Sequence, residues 1–400
     1  MKRITIVGGS SPYTVELCEQ LRRSRLADWA FELVLHGRTP AALEAVARYA
    51  RGALVGWKVR TSQALEEALQ GSHLVIHQPR YGGSAARARG ERLASRLGLP
   101  ADETLGPAGL LAALEITPHI QRFCSILRQA CPDAWVINMS NPASLSTSIF
   151  ALGGQARCIG VCELPMLTRR RIAEFLDVPP PSLEWSYAGF NHRGFLFDLR
   201  VDSRPVLDTL LRRLDASGLM GIPTDVIERL GAVPTKYFAL FDSHQALRND
   251  RSRVLEDLRQ EVFAELEQAP DRYPASLGRR SMPWYEFAVV PVLEALSGVG
   301  QPIVTTANVA GEDGLTWETF CTVGEARVQA APPQLQVPKP VRPWLERFLE
   351  HEQRALETLL RPSAQTIRAA LRADPIIPAQ KRQAAEREII RSMEELHEYA

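Results

Sequence analysis

Three short polar segments stand where apolar runs end, and each gathers side chains that can bind or react. Asn138-Met139-Ser140-Asn141-Pro142 follows one run, and Gly160-Val161-Cys162-Glu163-Leu164-Pro165 follows the next. Tyr187-Ala188-Gly189-Phe190-Asn191-His192 closes a strand-like piece. A thiol, a carboxyl, an imidazole and amides are groups that move protons, hold a cation or bind hydroxyls. A lone cysteine or histidine is more often a packed core residue, but here they come as a set at strand ends, where open α/β sheets place ligands. A fourth segment, Gly8-Gly9-Ser10-Ser11-Pro12-Tyr13-Thr14, lies between the first apolar run and the first amphipathic stretch. Backbone N–H groups and a helix N-terminus at that place can hold a pyrophosphate. The glycines do not follow GxGxxG, so a tight connection is the alternative reading.

The elements that must position these groups follow from periodicity. Arg3 to Val7, Phe31 to Leu35, Trp57 to Thr61 and Leu74 to Gln78 read as strands, separated by helices over Tyr13 to Ser24, Pro40 to Leu54 and Ser62 to Leu69. The apolar stretch Leu110 to Ala130, then Ala134 to Asn138 and Cys158 to Val161, continues the alternation. That pattern predicts an α/β fold with a Rossmann-like doubly wound sheet. After about Pro165 it becomes mixed, with a strand-rich piece from Trp185 to Leu199 and helices near Arg251 to Glu267 and Trp344 to Leu360. The expected organisation is a dinucleotide-binding domain over 1–165 and a mixed α+β substrate and metal domain with a helical C-terminus over 166–400, of the lactate/malate dehydrogenase-like type. The proline-rich stretch Ala331 to Pro343 is expected to join a strand to the terminal helices, because repeated prolines fit neither ladders nor helix interiors.

Composition narrows the classes. A chain of 400 residues, 45% hydrophobic and 23% charged, has material for two domain-sized cores. A net charge of +1 gives no pull on nucleic acid or an anionic membrane, so neither is expected as a partner. The N-terminal apolar stretch is too short for a signal peptide or span, and Cys18, Cys124, Cys131, Cys158, Cys162 and Cys321 show no CxxC or disulfide framework. The expectation is a cytoplasmic protein with reduced thiols.

Several of these segments together resemble one enzyme family. Gly-Gly-Ser-Ser with Tyr13-Thr14, Arg80 through Gly83 with Arg87, Glu103 through Gly109, the Asn141-Pro142 pair, the Cys162-x-x-Pro165 turn and Gly189-Phe190-Asn191-His192 are similar, in order, to motifs of the family 4 glycoside hydrolases. The resemblance spans at least residues 1 to 325. It implies NAD and a divalent metal, most often manganese, as cofactors, with Cys162 and His192 as metal ligands. With 192 − 162 = 30 residues between them, the two must meet by tertiary folding. Two protein ligands leave a site too open for structural zinc and suited to a Lewis acid that grips substrate. The implied chemistry oxidises the C3 hydroxyl of a sugar, which acidifies C2–H; the C1 leaving group is eliminated, water adds and the hydride returns. Such enzymes are exceptions to the two-carboxylate mechanism.

Residue by residue, the resemblance assigns Tyr237, in Pro234-Thr235-Lys236-Tyr237, as the base at C2. Taken alone it would be an ordinary half-buried aromatic, and its ordinary pKa of about 10 requires a cation nearby, the metal or Lys236. Glu163 stands where relatives carry Asp, Asn or His; a leaving-group acid, a third metal ligand and a turn residue all remain open. Gly8, Gly9, Ser10, Ser11 and Tyr13 would bind cofactor. Arg38 follows His36-Gly37 where a ribose-binding carboxylate is expected; it suits a 2′-phosphate, making NADP an alternative to NAD, or a solvated position at the next helix. Arg87, Asn141, Asn191 and Arg251 would contact a sugar or sugar phosphate, and guanidinium groups suit phosphate; Arg251 as a helix-surface charge is the alternative. Gly90 replaces a usual acidic residue and the segment after Tyr237 is short, which leaves the phosphorylation of the substrate open. A homo-oligomer, dimer or tetramer, is expected. Two rivals stand beside this reading: a malate/lactate-like 2-hydroxy acid dehydrogenase, which needs a histidine with an acidic partner, and a catalytically inactive NAD-binding regulator.

Overall fold

The computed structural model describes residues 1–155, 157–242, 250–334 and 336–398. Most of the short segment after Tyr237, 243–249, lies outside these. The strands are β1 (Lys2–Val7), β2 (Phe31–His36), β3 (Lys58–Ser62), β4 (Leu74–His77), β5 (Trp135–Asn138), β6 (Cys158–Gly160), β7 (Leu183–Phe190), β8 (Arg193–Val201), β9 (Arg204–Pro205), β10 (Val233–Pro234), β11 (Ile303–Ala310), β12 (Thr316–Gly324) and β13 (Arg327–Ala330). The helices that matter for the site are α1 (Thr14–Arg23), α2 (Pro40–Ala53), α3 (Leu65–Leu69), α4 (Gly83–Arg96), α5 (Gly106–Ala130), α6 (Ala143–Leu152) and α7 (Leu164–Leu176). β1 to β6 pair in parallel in the order β3-β2-β1-β4-β5-β6, the Rossmann arrangement.

Short apolar runs become parallel strands because both faces of such a sheet are covered. On one face Ile4, Ile6, Leu33 and Leu35 pack with Val15, Leu17 and Leu21 of α1, Val46 of α2 and Val292, Leu293 and Leu296. On the other, Val75 and Val136 pack with Phe123 and Leu127 of α5, Ile149 and Phe150 of α6 and, from the terminal helices, Ala355 and Ile389. The proline-rich stretch does join β13 to a helix, Arg342–Leu360.

The sheet does not stop at β6. β11 runs antiparallel beside it, and β12, β7, β8 and β10 extend the same sheet. The join is narrow: Asn308 of β11 pairs with Gly160 of β6, and Glu318 of β12 pairs with Gly189 of β7. Gly160 permits the approach, since a Cβ there would lie 2.9 Å from the Asn308 Cβ of β11 and 2.4 Å from the Thr147 hydroxyl oxygen of α6. The turn after β6 and the β7–β8 turn therefore open at one seam between the parallel and antiparallel halves. All six cysteines are free and buried. Among the described residues no helix is long and apolar enough to cross a membrane.

Candidate active site

A cleft of about 550 Å³ lies along this seam, at the C-terminal edge of the parallel strands. Ser11, Tyr13, Arg87, Asn141, Cys162, Glu163, Asn191, His192, Tyr237 and Arg251 all line it, although they come from seven separate stretches of chain. Gly8, Gly9, Ser10 and Arg38 lie off its wall. Gly8 and Gly9 both donate their N–H groups to the His36 carbonyl, at 3.1 and 2.7 Å, so these two donors lock the β1–α1 turn onto β2. Gly8 has φ +92°, and a Cβ there would lie 2.9 Å from the Gln78 carbonyl carbon, so only glycine fits. Ser10 packs against Gly37, and Arg38 is exposed one residue further on.

Asn141 is delivered by a loop pinned from within. Asn138 at the end of β5 accepts from Ser140 N at 3.1 Å and donates to Ser146 and Thr147 hydroxyls at 2.8 and 3.1 Å. Its other neighbour, His77, is fully buried, bonded to Tyr81 at 2.9 Å, and kept neutral because burial pulls its pKa down to about 4. The Asn141-Pro142 peptide is cis. Asn191 accepts from Ala143 N at 3.4 Å and so ties the start of α6 to the β7–β8 turn.

Cys162 and Glu163 leave β6 just before α7. Burial, then Glu318 and Glu163, push the Cys162 thiol well up, and burial also raises the Glu163 carboxyl. The Glu163 carboxylate oxygen lies 4.0 Å from the thiol sulfur. A thiolate here therefore needs a cation to form.

His192 forms the two-residue β7–β8 turn with Asn191 and has φ +66°, a left-handed conformation that costs a β-carbon residue about 1–2 kcal/mol. Glycine would sit there without strain but would bring no ring. Burial pulls the His192 pKa down to about 3, which keeps the imidazole neutral, and its Nδ1 is buried without a hydrogen-bond partner. A neutral ring with a free nitrogen beside a thiol is what a divalent cation requires. Among the described residues no group of three or more His, Cys, Asp and Glu side chains is arranged to hold a metal. The donor set thus fits an open site with Cys162 and His192 as protein ligands.

Tyr237 reaches this point because Thr235 is bonded to the same hairpin: its hydroxyl donates to the His192 carbonyl at 3.1 Å and its N–H to the Gly194 carbonyl at 2.9 Å. The Tyr237 and His192 rings stack, centroids 4.3 Å apart and 16° from parallel. Lys236 lies over the tyrosine ring at 5.0 Å. Burial, then Asp102, Glu163, Glu103 and Cys162, push the phenol well up. Behind the hairpin, the buried Arg193 guanidinium is bonded to Glu352 and, at 2.9 Å, to His351, while the Ser144 hydroxyl of α6 donates to Glu352 at 3.1 Å.

The opposite end of the cleft is made of paired charges. Glu103 accepts from Arg80 at 2.6 Å, Arg87 at 2.5 Å and Asn141 at 3.3 Å. Against the opposing effect of burial, Arg80 and Arg87 hold the Glu103 carboxyl well below the usual range. Arg87 also donates to Glu91 at 2.9 Å, and Glu91 accepts from Ser252 N at 2.9 Å. That contact sets Arg251 at the first turn of an 18-residue helix, Arg251–Gln268, where the helix dipole disfavours a cation unless an anion is near.

Glu103, Asp102, Arg280 and Trp284 also line the cleft without a role assigned from sequence, as does Lys236, which sequence reasoning weighed as the cation beside Tyr237. Glu103 lay inside one of the family-like motifs and Lys236 beside the tyrosine, whereas Arg280 lies at a bend and Trp284 at the head of a short π-helical segment that no periodicity marks.

A model of the family described as family 4 glycosyl hydrolases matches residues 3–178, the stretch that holds the Gly8 turn, Arg87, Glu103, Asn141 and Cys162. A Bacillus subtilis (strain 168) protein named "Probable 6-phospho-beta-glucosidase" is 25% identical over 94% of this chain and 92% of its own length. The solved structure of the Thermotoga maritima 6-phospho-beta glucosidase with NAD and glucose-6-phosphate superposes with a TM-score of 0.84 at 22% identity, over 98% of both chains. Plasmodium falciparum malate dehydrogenase shares the general sheet, with a TM-score of 0.53 at 12% identity over 90% of this chain and 99% of that one. The parallel sheet and the family match agree: over residues 3–178 this chain is similar to the family 4 glycosyl hydrolases.

Proposed function

We propose that this chain is a glycoside hydrolase that cleaves a 6-phosphorylated glycoside through transient oxidation at C3, elimination of the C1 leaving group, addition of water and re-reduction. The observation that carries the reading is one cleft holding the Cys162–His192 pair, with its partnerless Nδ1, beside Tyr237 and Glu163 and facing arginines across the pocket. NAD would supply the hydride acceptor and a divalent metal, manganese by preference, the Lewis acid; the Gly8 to Tyr13 turn would hold the first, Cys162 and His192 the second. Tyr237 would take the C2 proton at its phenolic oxygen. Of its three roles we take Glu163 as the leaving-group acid, because burial raises its carboxyl pKa, the direction an acid needs. Asn141, Asn191, Arg87 and Arg251 would orient the sugar phosphate, and Arg38, exposed beyond β2, leaves room for NADP as an alternative.

The dehydrogenase rival needs an acidic partner for its histidine, and His192 Nδ1 has none. We read the protein as cytoplasmic, homo-oligomeric and acting on small molecules, with a dinucleotide-binding unit over 1–165 and a substrate and metal unit over 166–400. The test is a screen of p-nitrophenyl glycosides and their 6-phosphates with NAD, manganese and a reductant. Hydrolysis should require dinucleotide while no NADH accumulates. Full-rate hydrolysis by dinucleotide-stripped protein would overturn the reading.

A further inference from the structure

The arginines of the cleft differ in what they touch. Arg80 and Arg87 donate to Glu103, and Arg87 also to Glu91. Arg280 has no carboxylate partner among the described ion pairs. Its guanidinium is held between two aromatic faces, 4.3 Å from the Tyr13 ring centre and 5.1 Å from that of Trp284. Its Nε and Nη1 are buried and meet no acceptor.

Aromatic faces fix a guanidinium in place but leave its in-plane donors unsatisfied. Buried donors of a charged group are rarely left so without a reason. Arg280 also borders a second cavity of about 430 Å³, yet the carboxylates on that side are engaged elsewhere. Glu16 accepts from Tyr273, and Glu174 from Arg170 at 3.1 Å and Arg171 at 2.7 Å. Burial first, then Arg251 and Arg80, work against the charged form of Arg280, which lowers its pKa. A bound anion would reverse that balance. Tyr13 stands at the N-terminus of α1, so the free donors lie beside the dinucleotide-type turn and, through Ser11 and Arg251, on the same cleft as Tyr237.

We propose that Arg280 is a phosphoryl-binding residue of this cleft, its free Nε–H and Nη1–H donating to the oxygens of a sugar phosphate or of a dinucleotide diphosphate. This rests on the reading of the cleft as a sugar-phosphate and dinucleotide site. Titration calorimetry of the parent, Arg280→Met and Arg280→Lys with glucose 6-phosphate, NAD and glucose tests it. Loss of a charge-assisted pair of donors should weaken a phosphorylated ligand on the order of 10- to 100-fold in Arg280→Met, with Arg280→Lys between and glucose unchanged. A fall confined to glucose 6-phosphate assigns the phosphoryl group to the substrate; a fall confined to NAD assigns it to the cofactor. Unchanged binding of both, or an equal loss for glucose, overturns the proposal. Should Arg280→Met fail to fold, Arg280→Gln, which keeps neutral donors, carries the same measurement. A parent that binds glucose 6-phosphate through Arg280 yet hydrolyses no 6-phosphate glycoside sinks the functional reading alone. Hydrolysis together with unaltered binding in Arg280→Met sinks this one alone.

Discussion

The two ends of the cleft carry opposite electrostatic problems. At one end Arg80, Arg87, Arg251 and Arg280 meet Glu91, Asp102, Glu103 and Glu115, and the arginines beside Glu103 hold its pKa well below normal. At the other, burial raises Cys162, Glu163, Tyr237 and the buried Glu318, and acidic neighbours add to the rise for Cys162, Tyr237 and Glu318. One end has a guanidinium without a carboxylate partner; the other has acids whose nearest cation, Lys236, does not offset the effect of burial. A ligand with a phosphate at one end, and a divalent ion at the other, answers both. On the proposed function, a 6-phosphorylated sugar would lie with its 6-position toward the arginines and its C2 and C3 toward His192 and Tyr237.

Removing the proposed cation ligands should break the contrast most severely. Cys162→Ser and His192→Ala should each lose divalent metal and, since a Lewis acid supplies several kcal/mol, turnover by on the order of 10³-fold or more. Elemental analysis and circular dichroism together check this. Metal retained at parental level in both variants would make the pair structural. Tyr237→Phe should be milder: metal, NAD and substrate still bind, while hydrolysis falls about 10²- to 10⁴-fold with the lost proton transfer. Solvent deuterium exchange at C2 should stop in that variant, and exchange at the parental rate would assign the base to another group.

The smallest effect concerns Glu318 in metal-stripped protein. Burial, partly offset by bonds from Tyr187 and Asn308, raises its pKa to about 8 from 4.5, and Glu163 adds to the rise. The folded chain then holds a proton that the unfolded chain has released. Stability should therefore fall as pH rises from about 4.5 to 8, by on the order of a few kcal/mol. Glu318→Gln should flatten that slope in chemical denaturation at several pH values, and an unchanged slope would place the titration elsewhere.

The parallel half was legible because each buried strand is a contiguous apolar run that ends in a turn, as Leu74 to His77 does, and the turns carry the reactive side chains. The antiparallel half hid two strands. In β11 and β12 the buried positions include Thr305, Thr306, Asn308, Thr316, Glu318 and Thr319, so polarity there does not mark the solvent face. α4, built of Ala, Arg and Gly, shows no continuous apolar stripe, and its Arg87 was found through motif likeness rather than helical period. Cys162 and His192 were legible as a pair only through that likeness. Nothing in their 30-residue separation says that β11 and β12 bring them to one seam, and Arg280 carried no signal at all.

The tie between Arg193 and Glu352 bears on how the site is completed during synthesis. The two are 159 residues apart, and the guanidinium is buried directly behind the histidine turn. A chain that has emerged only through β8 has a cation to bury and no counter-charge, a state several kcal/mol less favourable than the finished one. Glu352 neutralises it and, through Ser144, also braces the helix that follows Asn141-Pro142. The seam that collects the reactive groups is thus closed by a helix that leaves the ribosome long after the histidine turn, so a nascent chain stopped short of residue 352 would carry the candidate catalytic side chains and lack the brace that sets them.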